Sequence, residues 1–312
     1  MKIGLDLGIY GQLATPQYVL GLAELAEDAG FDSVWLADHV VFPTTVESRY
    51  PYSPSGTFPV ENTASLLEPV ATMGVLVGAT KRVRIGTAVL VMPYRNPVLL
   101  AKMLTTLDVF SEGRIVLGAG VGWMKEEFEA LATAPFKHRG QVTDEYIEIF
   151  KRACAGGEVS YDGQHYQLAP AAFYPASVQR PHIPVVIGGT SNAALRRVAR
   201  CGDGWLSVAV PTERMPERLQ TLVQFCNDYD RSPSSLTLYH KLFINIGEER
   251  PSVYGGREPG TGSVEQIVAD ISGLEQLGYT HIIIRYLGRD PLKQTAQLRQ
   301  FVDQIVPRIN AA

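Results

Sequence analysis

Asp38 and His39 stand side by side, a carboxylate next to an imidazole, and such a pair can hold and move a proton near neutral pH. They follow Ser33–Ala37, whose apolar character reads as a buried parallel strand, so the pair falls at a strand C-terminus. Open α/β sheets and α/β barrels keep their chemistry at that end. Other strand ends offer Tyr94 and Arg95, the run Gly118 to Trp123, Gly188-Gly189-Thr190, Ser207, and Arg285 with Tyr286. Glycines admit a ligand close to the backbone, and free amides at a helix start attract an anion, so Gly188, Gly189 and Thr190 read as an anion site. The same reading extends less firmly to Gly118, Gly120 and Gly122. Their GxGxG spacing is neither a P-loop nor a GxGxxG fingerprint followed by a ribose-binding acid. The chain carries no HExxH, HxH or GxSxG, which disfavours a metal-dependent hydrolase or a serine nucleophile.

The elements that must position these residues repeat one pattern of helix, glycine, short polar turn and apolar strand. It recurs at 16–37, 193–208 and 264–285, and marks right-handed βα units. Strands are expected near 2–7, 33–37, 83–91, 114–119, 184–187, 205–208, 236–246 and 281–285. Helices are expected near 16–29, 66–79, 96–110, 142–155, 193–201, 216–229, 264–277 and 292–309, with Glu126 and Glu127 on a further helix after the fourth strand. Eight strands alternating with helices point to α/β class and a (β/α)₈ TIM barrel, with a doubly wound sheet as the other architecture of this period. The whole chain, 1–312, reads as a single domain. Three long segments interrupt the alternation: 42–65, 156–181 with a small hairpin, and 247–262. The first and third leave strand C-termini, where loops of this length line or cover a site.

Bulk properties narrow the function. Of 312 residues 46% are hydrophobic and 19% charged, as in a soluble globular protein. A net charge of −4 gives no attraction to nucleic acid or anionic membrane. Three scattered cysteines form no disulfide framework or zinc motif, and no metal is expected. The N-terminus enters a strand directly, without a signal-peptide core, so a cytoplasmic location is expected.

The segments SVWLADHV, RIGTAVLVMPYRNPVLLAKMLTTLDVFSEGRIVLGAGVGWMKEEFEAL and PVVIGGTSNAALRRVARCGDGW resemble the bacterial luciferase-like flavin and deazaflavin oxidoreductases. The likeness runs the length of the chain and is closest to the branch that uses coenzyme F-420. It implies a (β/α)₈ barrel with the flavin or deazaflavin ring in its mouth, near Asp38 and His39. It also implies a bulge at Thr87, Ala88 and Val89 backing the ring, with a cis Ala88–Val89 peptide. Gly120, Gly122, Gly188, Gly189 and Thr190 match where the family holds the ribityl phosphate, with Trp123 beside them. F-420-dependent sugar-phosphate dehydrogenases place a glutamate where this chain has Trp123, so His39 becomes the expected proton carrier with Asp38 orienting it. Arg285 is expected to hold an anionic substrate or a cofactor tail. The resemblance thus implies hydride transfer between F-420 and a small organic substrate. Its alternatives are a reduced-FMN monooxygenase fed by a separate flavin reductase, and a flavin-binding barrel without turnover. A homodimer is also implied.

Overall fold

A computed structural model describes residues 1–310 apart from 54, 209 and 253. In chain order the elements are β1 (Lys2–Asp6), α1 (Pro16–Asp28), β2 (Ser33–Leu36), α2 (Pro69–Ala79), β3 (Arg84–Thr87), β4 (Leu90–Val91), α3 (Pro97–Phe110), β5 (Ile115–Gly120), α4 (Lys125–Leu131), α5 (Arg139–Ala155), β6 (Gly157–Asp162), β7 (Gln167–Phe173) and β8 (Val185–Gly188). They continue with α6 (Asn192–Cys201), β9 (Gly204–Val208), α7 (Met215–Asp228), β10 (Thr237–Ile246), β11 (Thr261–Gly262), α8 (Val264–Gln276), β12 (His281–Tyr286), α9 (Pro291–Gln304) and α10 (Val306–Asn310).

Eight parallel staves run β1-β2-β3-β5-β8-β9-β10-β12, and pairing of β12 with β1 closes the ring. The chain is therefore a closed (β/α)₈ barrel, and the open doubly wound alternative is excluded. Closure follows from strands that are apolar on both faces, because outward residues meet helices while inward ones meet each other. The helices are started by local chemistry. Thr15, Asn96 and Asp290 cap α1, α3 and α9, each followed by proline at the first helical position, and Ser263 with Gln266 forms a capping box on α8.

Boundaries differ from the sequence expectation at four places, one of them α5, which begins at Arg139 rather than 142. The strand expected over 83–91 is two pieces, β3 and β4, because the chain bulges at 88–89, where the Ala88–Val89 peptide is cis. Helix α2 begins at Pro69 rather than residue 66, capped by the Glu68 carboxylate. The final helix breaks at Ile305 into α9 and α10. The hairpin expected within 156–181 is β6 and β7, antiparallel and outside the barrel. No helix among the described residues is long and apolar enough to cross a membrane.

The barrel interior is filled by Trp35, Val116, Val186, Leu206, Tyr239 and Ile283, with Ala88 and Val89 above them. Gly4 and Gly86 exist for the indole of Trp35: a Cβ on either would lie 2.5 Å from its ring. A plug of this kind closes the barrel as a channel and leaves two hollow ends.

Candidate active site

At the C-terminal end, the floor of the mouth is the β3–β4 bulge. Thr87 is wholly buried, and its Oγ1 donates to the Gly118 carbonyl (2.8 Å) and accepts from the Gly118 amide (3.1 Å). Thr87 thus builds the wall and presents no group to the mouth. A Cβ on Gly118 would land on the Thr87 carbonyl oxygen, and one on Gly120 or Gly188 would strike the side chain of Val89. The glycines at the ends of β5 and β8 therefore make room for the bulge, which is the physical reason for their spacing. Ala88 and Val89 remain as the apolar surface on which a flat ligand can rest.

His39 follows β2, and its partner is not Asp38. His39 Nδ1 lies 2.7 Å from Glu127 Oε2. Glu127, in the first turn of α4 and fully buried, also accepts from Tyr94 Oη (2.9 Å) and from the amides of Val40 (2.7 Å) and Val41 (3.3 Å). With three other donors converging on it, the carboxylate accepts from Nδ1–H, which leaves Nε2 as the nitrogen able to exchange a proton. Burial, reinforced by Glu127, raises the Tyr94 hydroxyl, so it stays a donor. Asp38 is turned the other way. Its carboxylate takes both guanidinium nitrogens of Arg95 (2.7 and 2.9 Å) and the Val91 amide (2.8 Å), with Glu68 completing the Arg95 pair. The expectation that Asp38 orients His39 is corrected: Asp38 anchors the turn after β4, and Glu127 orients the imidazole.

Aromatic rings surround His39. Phe58 lies 4.9 Å away, Phe42 5.5 Å and Trp123 6.1 Å, centroid to centroid, and Tyr50 packs against both Trp123 and Phe58. Phe42, Tyr50 and Phe58 come from the first long loop, which is fastened to α4 because Glu126 accepts from the Glu47 and Ser48 amides. The loop thus shields His39 from water with apolar faces.

The third group was not foreseen. Asp6 at the end of β1 is paired with Lys241 of β10 and with Arg285 of β12, the latter at 2.7 Å. Burial alone would raise Asp6, but the two cations outweigh it and hold the carboxyl at about 2. Arg285 also stacks over the Tyr10 ring, 4.7 Å from guanidinium to centroid. Arg285, expected to be free for a substrate, already has an intrachain partner. Asp6 and Lys241 announce themselves in the sequence only as charges at inward positions of otherwise apolar strands.

Of the expected phosphate residues, Gly122 turns the chain toward α4 at φ +79, with Phe128 and Val91 where a side chain would stand. Trp123 follows it into the aromatic wall. Gly189 takes φ +116 and its amide donates to the Leu206 carbonyl. Thr190 leads into α6, whose cap is Ser191 accepting from Ala194. Ser207 faces away from the mouth and bonds to His240 Nδ1 (2.7 Å) beneath the outer helices. A hollow of about 430 Å³, lined by Lys2, Arg84, Tyr239 and His281 among others, lies at the opposite end of the barrel. Roominess alone does not mark a site, because the His39–Glu127 pair and the bulge are at the C-terminal end.

The model of the luciferase-like monooxygenase family matches residues 3–255. The chain belongs to that family. This luciferase-like protein is 34% identical to an uncharacterised protein of Mycobacterium tuberculosis over 189 residues, 61% of this chain and 64% of that relative. It therefore spans less than two thirds of that relative. It is 26% identical to an F-420-dependent glucose-6-phosphate dehydrogenase of Microbacterium testaceum, over 94% of each chain. A solved F-420-dependent secondary alcohol dehydrogenase, in complex with an F-420–acetone adduct, superimposes with a TM-score of 0.79 at 18% identity. That superposition covers 99% of this chain and 98% of the other, and establishes the shared barrel.

Proposed function

We propose that this luciferase-like oxidoreductase uses the deazaflavin coenzyme F-420 to exchange hydride with a small organic substrate. The observation that carries the reading is His39, held by Glu127 within an aromatic enclosure one strand from the Ala88–Val89 floor. The residues fit such a group. An apolar bulge flanked by glycines receives a flat ring. At the start of α6 the Ala194 amide is taken by Ser191, while those of Asn192 and Ala193 meet no carbonyl among the described residues and suit a phosphate. When bound, the ring supplies two-electron chemistry, and the protein supplies position, charge and water exclusion. His39 exchanges the accompanying proton through Nε2, Glu127 fixes its orientation, and Trp123, Phe58 and Tyr50 keep the site dry. The names of the F-420-dependent relatives support this cofactor.

The family description names a monooxygenase, which favours a second reading; its form would be a reduced-FMN enzyme served by a separate flavin reductase. A fluorescence titration with F-420 and FMN, oxidised and reduced, separates them. F-420 binding at micromolar concentration or tighter, with FMN ignored, is expected. Preference for reduced FMN favours the second reading, and binding of neither overturns both. A homodimer and a cytoplasmic location belong to the same proposal. For the dimer the support is an apolar outer face on α2 and α3, where Val75, Leu99 and Phe110 are more than half exposed.

A further inference from the structure

Three charged side chains on the β1–β10–β12 side of the mouth have no part in the proton chemistry of His39. Lys241 and Arg285 both pair with the single carboxylate of Asp6. The neighbouring acids are already engaged, Asp38 and Glu68 by Arg95, and Glu127 by His39, Tyr94 and two amides. Two basic groups share one carboxylate: burial and Arg285 lower the Lys241 ammonium while Asp6 opposes them, and the cluster carries more basic groups than acids. Asp6 is the deepest of the three: its side chain is 0% exposed, while those of Lys241 and Arg285 keep 10% and 11% of their surface. Lys241 Nζ lies 3.4 Å from the Ala88 carbonyl oxygen, which ties the cluster to the floor on which a ring would rest. An unmatched charge in a low-dielectric site is costly, and a ligand of opposite sign relieves the cost.

We propose that Asp6, Lys241 and Arg285 form a cationic seat for negative charge on the bound ring, so that the protein holds the reduced cofactor more tightly than the oxidised one. The inference rests on the proposed function. Hydride transfer moves two electrons and one proton from a C–H bond of the substrate to the ring, which becomes one unit more negative. The substrate is oxidised by the same two electrons, and its second proton leaves through His39. The seat balances the added charge without a further proton.

The test is binding, not turnover. Wild type, Lys241→Met, Arg285→Gln and Lys241→Arg are titrated anaerobically with FMN and with F-420, each oxidised and reduced. Wild type is expected to prefer the reduced form. Lys241→Met and Arg285→Gln are each expected to lose about tenfold of that preference while Lys241→Arg retains it. For FMN that corresponds to a fall of about 30 mV in the two-electron midpoint potential of the bound cofactor. Equal weakening of both redox forms, or an unchanged preference, overturns the seat. If Lys241→Met fails to fold, the Arg285→Gln and Lys241→Arg pair decides by the same criterion. Wild type that binds both redox forms equally refutes the seat alone. Wild type that binds neither cofactor refutes the proposed function, and the seat with it.

Discussion

His39 and Asp38 are adjacent in sequence yet belong to different networks, and variants should separate them. Removing a positioned proton carrier costs roughly 10²–10⁴ in rate, so His39→Ala is expected to abolish most turnover, read as kcat with the cofactor that binds. Glu127→Gln keeps the shape but exchanges a pure acceptor for an amide. By analogy with carboxylates that orient metal-bound imidazoles, it is expected to lower kcat by about 10–100-fold, while cofactor affinity stays near wild type. Asp38→Asn should act on stability instead. Breaking a buried ion pair from one side costs about 3–5 kcal/mol, visible as a lower denaturation midpoint. If Asp38→Asn is as stable as wild type but catalytically dead, its placement as an anchor is wrong.

The elements carry the site through close contacts that glycine alone allows. Gly118 abuts the Thr87 carbonyl, and a Cβ on Gly188 would lie 2.5 Å from the Val89 side chain, so β5 and β8 press against the bulge from one side. Gly118→Ala is expected to displace the floor or unfold the barrel, because the obstructing atom is backbone and cannot rotate away. Gly78 lies on the solvent side of α2, where an added Cβ would meet nothing within 4 Å among the described residues. Gly78→Ala is expected to be neutral or slightly stabilising. Comparing the two by thermal unfolding and cofactor binding tests whether these glycines serve packing. Local sequence explains the helix starts: Thr15, Asn96 and Asp290 each cap a helix whose first residue is proline, and Ser263 forms a capping box with Gln266. It does not explain the bulge, since Val83–Val91 is a largely apolar run and the break comes from its neighbours.

For the whole molecule, acid stability follows from groups buried in one charge state. Burial holds His240 at about 3 against an ordinary 6.5, so the unfolded chain binds a proton that the fold refuses. Its contribution is complete above pH 6.5 and is lost as pH falls toward 3. Asp6, at about 2 against 3.8, contributes above pH 4 and loses its share, about 2 kcal/mol, as pH falls from 4 to 2. Denaturant unfolding at pH 7, 5 and 4 should show falling stability, and His240→Gln should flatten that slope. An unchanged slope would mean that His240 is not held neutral. The apolar face on α2 and α3 bears on assembly. Val75→Glu together with Phe110→Glu should shift a dimer to monomer in size-exclusion chromatography without altering monomer stability, and wild type that elutes as a monomer would end that reading.

The sequence by itself determined the alternation of strand and helix, the α/β class and the glycine turns, and it singled out His39 as a candidate. Each of these is written in local pattern, in periods of two or 3.6 residues and in turn chemistry. Closure of the sheet into a barrel came from the structure. The family likeness added the bulge and its cis peptide. Only the tertiary structure decided which carboxylate serves which base. His39 and Glu127 are 88 residues apart, and Arg285 and Asp6 are 279 apart. Such pairings depend on the order and stagger of staves around a closed barrel, and no local period encodes them. That geometry gave Glu127 to His39, Arg95 to Asp38, and two cations to Asp6.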